Sequence, residues 1–392
     1  MNLLRDALYP NGLDPSRIDF IKAWKLSQAW HITLASTVLG LVYPIFGDGF
    51  LKVTPFINGF LIGLFGGLSI SCVELFVFPK LNRRFSLLSF VLAKTITYAS
   101  VISGFVFVII LVSRSFEFNM SVSDTYHSAL FQHFIFAEDF FIIIAYSLVF
   151  VLTVIFTREM NIKLGHGALY NFITGRYKSP RHEKLLFMFI DLDSSVTTAE
   201  KLGDLGFHNL LNDFFFDITN PVLMSHGTIY QYVGDQVVVT WPLSNDKNAD
   251  ECLRAYLSCH NTVNSARDRY LRKYGVVPSF KTAIHAGEVI CAEIGSVKSA
   301  IVYQGDVLNT TARLERMCSH LGEDLLISNE VFHLLSENVK KCFEQTEPLQ
   351  LKGKTKHLDV FQIQKKAPQP VEDGAFRAVR ESLPGVFYAH CA

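Results

Sequence analysis

The chain has 392 residues, of which 49% are hydrophobic, and its mean hydropathy of +0.26 exceeds what one water-soluble domain uses. Lys+Arg and Asp+Glu balance at 36 each, so no basic excess recommends a nucleic-acid partner and none is expected. The seven cysteines are scattered and never form a CxxC pair, which argues against a disulfide or zinc framework and for reduced thiols.

Apolar content is concentrated in residues 1–157. Four stretches there, Leu26–Gly47, Val53–Val73, Thr95–Ser113 and Phe140–Thr157, are nearly free of charge and long enough to cross hydrocarbon as helices. The region before Trp24 lacks a short apolar segment with a small-residue cleavage site, so the first stretch is expected to persist in the mature protein. Arg5, Arg17, Lys22 and Lys25 precede the first stretch, Lys80, Arg83 and Arg84 lie between the second and third, and Arg158 and Lys163 follow the fourth. The other two loops hold only Lys52 and Arg114. Flanking Lys and Arg tend to stay cytoplasmic, so the pattern predicts a multi-pass inner (plasma) membrane protein with both termini in the cytosol. The lipid bilayer is then a partner, with Trp24 and Trp30 as interface anchors. Glu74 and Lys94 are costly in lipid unless paired, and a bridge between the second and third spans is the simpler reading than a sensing role. No pattern identifies the membrane or extracellular signal that such a unit would receive.

Residues 158–182 form a polar-mixed connector with three glycines and a proline. Its apolar positions Ile162, Leu164, Leu169, Phe172 and Ile173 suit either a short helix that pairs with a second copy or a plain linker. From residue 183 the pattern becomes α+β. A buried strand at "LLFMFID" is followed by a helix over about 198–219, the hairpin "GTIYQYVGDQVVVTW", and a helix over about 249–274. A strand in "FKTAIHAGEVICAEIG" and a helix after Asp306 come next. Interleaved strands and helices around one hairpin, with no Gly-rich phosphate loop, predict a ferredoxin-like βαββαβ core over 183–365. The tail, 366–392, has no assigned role.

Asp191 ends the first of these strands and Asp235 stands at the hairpin tip. A two-residue Gly234-Asp235 turn fits a type II′ hairpin, which needs glycine first. Alone, Asp235 would be only a polar turn residue. Two carboxylates at neighbouring strand ends, however, can share divalent ions that keep positions open for phosphate. In "GDVLNTTARLE", Asp306 is placed to cap a helix, and Asn309 and Arg313 stand four apart on one helical face. That face is either merely solvated or able to reach a ribose and a phosphate together.

The segments "FMFIDLDSS", "YQYVGDQVVVTW", "AIHAGEV", "GDVLNTTARLE" and "LKGKTK" stand in the order and spacing of class III nucleotide cyclase catalytic domains, which the chain resembles over about 183–364. The four-span unit and connector are similar to those of bacterial membrane-bound members. The resemblance implies a homodimer with sites at its interface, where ATP is converted to 3′,5′-cyclic AMP and pyrophosphate. Asp191, Asp235 and the Leu192 carbonyl would hold two Mg²⁺ or Mn²⁺ ions per site, while Asn309 and Arg313 from the partner would orient the ribose and stabilise the α-phosphoryl charge. Lys352 or Lys354 would contact the terminal phosphates.

The base-reading positions depart from the family's usual pairs. They hold Gln231 and Val302 here, so a guanylate or other nucleotide cyclase stays open, as does a non-catalytic nucleotide-binding receptor. Gln231 alternates with Ile229 and Val233 and is expected on the apolar side of the hairpin. Val196 stands where relatives commonly have Thr beside the phosphates, and Ser194 and Ser195 would compensate.

Overall fold

The computed structural model describes residues 1–9, 18–47, 53–78, 87–136, 139–164, 168–243, 248–297, 299–346 and 359–364. Contacts divide the chain into two units. One comprises Met1–Gly12, His182–Ile290 and Gln304–Ala392; the other comprises Leu13–Arg181 and Cys291–Tyr303.

The second unit is built from long apolar helices. They are α2 (Ile18–Gly47), α3 (Val53–Phe76), α4 (Leu87–Phe118), the short α5 (Val122–His127) and α6 (Ala129–Phe136), and α7 (Asp139–Leu164) followed by α8 (Ala168–Thr174). Three runs, Val53–Phe76, Leu88–Phe118 and Ala129–Thr157, are long and apolar enough to cross a membrane. Within α2 the apolar stretch is shorter, Ala29–Ile45. Part of the connector is therefore helical, because α7 runs on to Leu164 and α8 occupies 168–174.

Close approach joins α2 to α3. Gly59, Gly63, Gly67 and Ser71 recur every four residues and so share one face of α3. A Cβ at Gly59 would fall 2.1 Å from the Gly40 carbonyl oxygen, and one at Gly63 would fall 2.5 Å from that of Ser36. Small residues let two backbones meet where lipid offers no hydrophobic drive, and the Thr33 and Ser71 hydroxyls, 3.3 Å apart, add a polar contact. Between α3 and α4, Lys94 Nζ lies 3.0 Å from Glu74 Oε1, as the sequence suggested, and the Tyr98 hydroxyl donates to the same carboxylate. Phe90 and Phe78 flank the ammonium at 4.5 and 5.5 Å from their ring centroids. Both charges are buried, and pairing plus the ring faces offsets the cost of removing them from water.

In the first unit, β1 (Arg181–Leu192) is buried without interruption from Leu185 to Ile190, as a strand covered on both faces must be. Helix α9 (Ser195–Met224) follows and kinks at Gly203, where φ is +70°. Strands β2 (Thr228–Val233) and β3 (Gln236–Pro242) form the hairpin. The single helix expected over 249–274 is two, α10 (Asn248–Ser265) and α11 (Arg267–Tyr274), broken at Ala266. Strand β4 (Phe280–Ile294) follows, its end from Cys291 grouping with the other unit as most of β5 (Ala300–Gln304) does. Helix α12 (Asp306–Leu321), β6 (Leu325–Ser328), α13 (Asn329–Leu334), α14 (Glu337–Lys340), β7 (Phe343–Gln345) and β8 (Val360–Ile363) complete the described residues.

The sheet runs β2-β3-β1-β4-β6-β8-β7, with β5 paired to β4. Its first four strands have the order of a βαββαβ core. Buried Asp213 and Asp217, one turn apart on α9, are satisfied by α11. Lys273 Nζ lies 2.7 Å and the Tyr274 hydroxyl 2.9 Å from Asp213, while the Tyr270 hydroxyl lies 2.5 Å from Asp217, which Arg269 also meets. Buried carboxylates persist only when bonded in this way.

The sequence groups residues 1–157 as membrane domain, but helix α1 (Asn2–Leu8) packs into the core of the α+β unit. Leu4 and Leu8 are 0% and 3% exposed there, four apart and so on one helical face.

The α2–α3 contact makes a direct prediction. Gly63→Ala is expected to lower the melting temperature of the full-length protein in detergent, because its methyl group must push two helices apart. Gly66→Ala, with nothing within 4 Å of the added carbon, should leave it nearly unchanged.

Candidate active site

Asp191 and Asp235 are brought together by strand register. In the antiparallel β1–β3 ladder, Asp191 lies directly opposite Gln236, the residue after Asp235. Gly234 takes φ +63°, and among the described residues positive φ at a non-glycine is confined to Asn119, Ser194 and His226, so Asp235 keeps an ordinary backbone. The turn thus uses glycine where the hairpin twist demands it and presents the aspartate beside the end of β1.

Burial, then the nearby Glu315 and Asp235 carboxylates, push the Asp191 carboxyl up to about 7. Glu315 on α12 hydrogen-bonds Asp191, and burial raises its own titration as well. This is a concentration of negative charge that the protein itself balances only in part, through Lys281. Lys281 Nζ lies 2.7 Å from Asp193 Oδ1 and 3.2 Å from Ser319 Oγ. Carboxylates that repel one another at the end of a strand fit a divalent cation, which would replace the shared proton. Among the described residues, no group of three or more His, Cys, Asp or Glu is arranged to hold a metal alone. The donors expected from the sequence are the Asp191 and Asp235 carboxylates and the Leu192 carbonyl.

Glu315 was not anticipated from the sequence, although its signal is there. It stands two residues after Arg313, which turns it about 200° round the helix. While Glu315 meets Asp191, Arg313 is half-buried and Asn309 exposed on the other side of α12. Val307, Thr310, Thr311, Leu314 and Cys318 fill the buried face between them. Asp306 does not cap this helix as expected. The N-cap is Gly305 and Asp306 is the first helical residue, where its charge complements the helix dipole.

Gln231 is exposed, contrary to its expected place on the apolar side. The cause is a bulge: the register slips between Ile229 and Gln231, and the two-residue alternation fails across Tyr230. Val302 is half-buried in β5. Ser194 precedes α9 in a left-handed conformation (φ +54°) and Ser195 is the first residue of that helix, so the loop after Asp191 leads directly into a helix N-terminus. Leu192 is buried. Lys352 and Lys354 lie outside the described residues.

Residues 177–365 match the model of the adenylate and guanylate cyclase catalytic domain, and the segment belongs to that family. "Adenylate cyclase 2" of Rhizobium meliloti (strain 1021) is 34% identical over 221 residues, covering 56% of this chain and 61% of that protein. "Adenylate cyclase 1" of the same strain is 26% identical over 188 residues, 46% of this chain and 27% of that protein. The chain thus spans less than two thirds of the length of these curated relatives. The crystal structure of the adenylyl cyclase CyaB from P. aeruginosa aligns with 48% of this chain and 98% of its own, at 21% identity and a TM-score of 0.42.

The raised Asp191 predicts a pH effect of definite sign. A carboxyl that titrates near 7 when folded and near 3.8 when unfolded stabilises the fold less and less as pH rises between those values. In EDTA, Asp191→Asn should therefore stabilise the protein at pH 8 by about 1–2 kcal/mol, after allowance for solvent screening, and give no such gain at pH 4. Thermal or denaturant unfolding at the two pH values checks this.

Proposed function

We propose that the chain is a membrane-bound adenylate cyclase that converts ATP to 3′,5′-cyclic AMP and pyrophosphate, with its active sites formed between two copies. The observation that carries the proposal is the division of labour on α12. Glu315 faces the chain's own Asp191 and Asp235, while Asn309 and Arg313 face away and are placed to serve a nucleotide held by a second chain's carboxylates. Exposed apolar side chains on the same unit, Val196, Leu205, Tyr232 and Val233, support a second copy that would cover them.

In this reading Asp191, Asp235 and the Leu192 carbonyl hold the Mg²⁺ or Mn²⁺ ions, and the N-terminus of α9 with Ser194 and Ser195 receives phosphate oxygens. Bound ions supply charge neutralisation and acidify the ribose 3′-hydroxyl. Asn309 of the second copy orients the ribose. Arg313 stabilises charge on the α-phosphoryl group as the 3′-oxygen bonds to phosphorus and the bond to pyrophosphate breaks. Lys352 or Lys354 receives the terminal phosphates. An exposed Gln231 can donate to and accept from a base, and every named cyclase relative above is an adenylate cyclase, which supports ATP as the substrate.

We also propose four membrane spans, with the catalytic unit in the cytosol. Because α1 shares a core with the catalytic unit, the chain must leave and re-enter one compartment, which requires an even number of crossings. Three helices qualify by length and apolarity, and α2, tied to α3 along its glycine face, supplies the fourth. The division into membrane domain, connector (158–182), catalytic domain (183–365) and tail (366–392) is kept, except that residues 1–9 join the catalytic unit.

The test is turnover of ATP, GTP, CTP and UTP in competition, with Mn²⁺, by the full-length protein. Cyclic AMP should dominate, and Asp235→Ala and Arg313→Ala should each lower its formation at least about a hundredfold, the usual scale for losing transition-state charge stabilisation. Co-expressed Asp191→Ala and Arg313→Ala chains should regain part of the activity. Confirmed mixed dimers with no recovery would exclude shared sites.

A further inference from the structure

Helix α1 is separated in sequence from the catalytic domain by the whole membrane unit, yet it fills part of that domain's core. Leu4 and Leu8 belong to the same buried cluster as Leu253, Tyr256, Val339 and Cys342. Ala7 and Tyr9 pack against its margin. Two carbonyls of the helix are engaged from the catalytic side. The Cys342 thiol donates to Leu3 O at 3.5 Å and Arg254 Nη2 to Leu8 O at 3.5 Å, and the Arg254 guanidinium stands 5.7 Å from the Tyr9 ring centroid. Arg254 is held in turn by Glu251 on α10. Neither seat of α1 is a loop end: α10 is a core helix, and α14 leads through Cys342 into β7.

We infer that residues 2–9 are a latch, a segment docked on the catalytic unit between α10 and α14 and tied to the first membrane helix, through which that helix regulates nucleotide use. The inference rests on the cyclase function proposed above and adds its regulation. Two leucines and two carbonyl contacts are too little to hold a free peptide. They suffice for a tethered one, whose effective concentration at its seat is high. Docking of this kind is released by a modest pull, so movement of α2 would loosen α1 and uncover Cys342. Release would also loosen α10, which packs along α9, the helix whose N-terminus with Ser194 and Ser195 receives phosphate oxygens in the proposed reading. The expected consequence is a raised KM for the nucleotide rather than loss of kcat.

Alkylation of the full-length protein by N-ethylmaleimide, followed by mass spectrometry of each cysteine peptide, tests the docking. In the wild type Cys342, 2% exposed, should react slowly. In Leu4→Glu/Leu8→Glu it should react about tenfold faster or more, the scale of a local opening. Cys318, buried in a separate cluster, is the control and should stay protected in both. Should the glutamate pair fail to fold, Leu8→Ala is expected to shift Cys342 in the same direction by less. Nucleotide titration of the same variants should show KM raised several-fold with kcat within about twofold. Equal Cys342 labelling in wild type and variant overturns the docking and leaves the cyclase proposal untouched. Faster labelling with KM unchanged overturns the regulation. Absence of cyclic nucleotide from the wild type, with the labelling difference intact, overturns the cyclase proposal and with it the regulatory role of the docked helix.

Discussion

Everything at the candidate active site depends on the ladder between β1 and β3. Seven consecutive residue pairs, from Leu185 with Pro242 to Asp191 with Gln236, set one register. Because side chains alternate along a strand, a slip of one residue would exchange two differently packed buried faces, setting Leu186, Met188 and Ile190 where Leu185, Phe187 and Phe189 pack and carrying Asp191 to the other face. The apolar cost of that slip fixes the carboxylate. Asp191 and Asp235 stand together because the residues of β1 before Asp191 and of β3 from Val237 to Trp241 are buried, not because they attract. They repel, and burial first, then Glu315 and Asp235, raises the Asp191 carboxyl.

Helix α12 carries the same logic into the assembly. A helix offers one face per phase, and here one phase is spent on the core, one on Glu315 beside Asp191, and the remaining one on Asn309 and Arg313. In the function proposed above, the acidic face serves the chain's own site and the other face a partner's, so that two copies related by a twofold axis would complete each other.

The unit of long apolar helices solves a different problem with different means. Lipid would give such helices no reason to associate; α2 and α3 meet through glycines that bring backbones into contact, and α3 and α4 through one buried ion pair ringed by Phe78, Phe90 and Tyr98. Placing α1 in the catalytic core gives this unit a second attachment, at its beginning as well as its end.

The sequence by itself determined a great deal. Apolar runs reported the helices of the membrane unit, a buried strand reported β1, and the Gly-Asp turn with a carboxylate at the end of "FMFID" reported the acidic pair. These are local signals, set by period, length and turn chemistry within a few residues. What escaped was non-local or broke a period. The bulge at Tyr230 reversed the exposure of Gln231, and the partner of Asp191 on α12 was Glu315, whose role depends on which face of the helix meets β1. Leu4 and Leu8 read as two more apolar residues ahead of a membrane span, although their neighbours in space, Val339 and Cys342, lie more than three hundred positions away. Only the tertiary structure could decide these points, because burial is a property of what packs against a residue, and the sequence states that only when the packing partner is close along the chain.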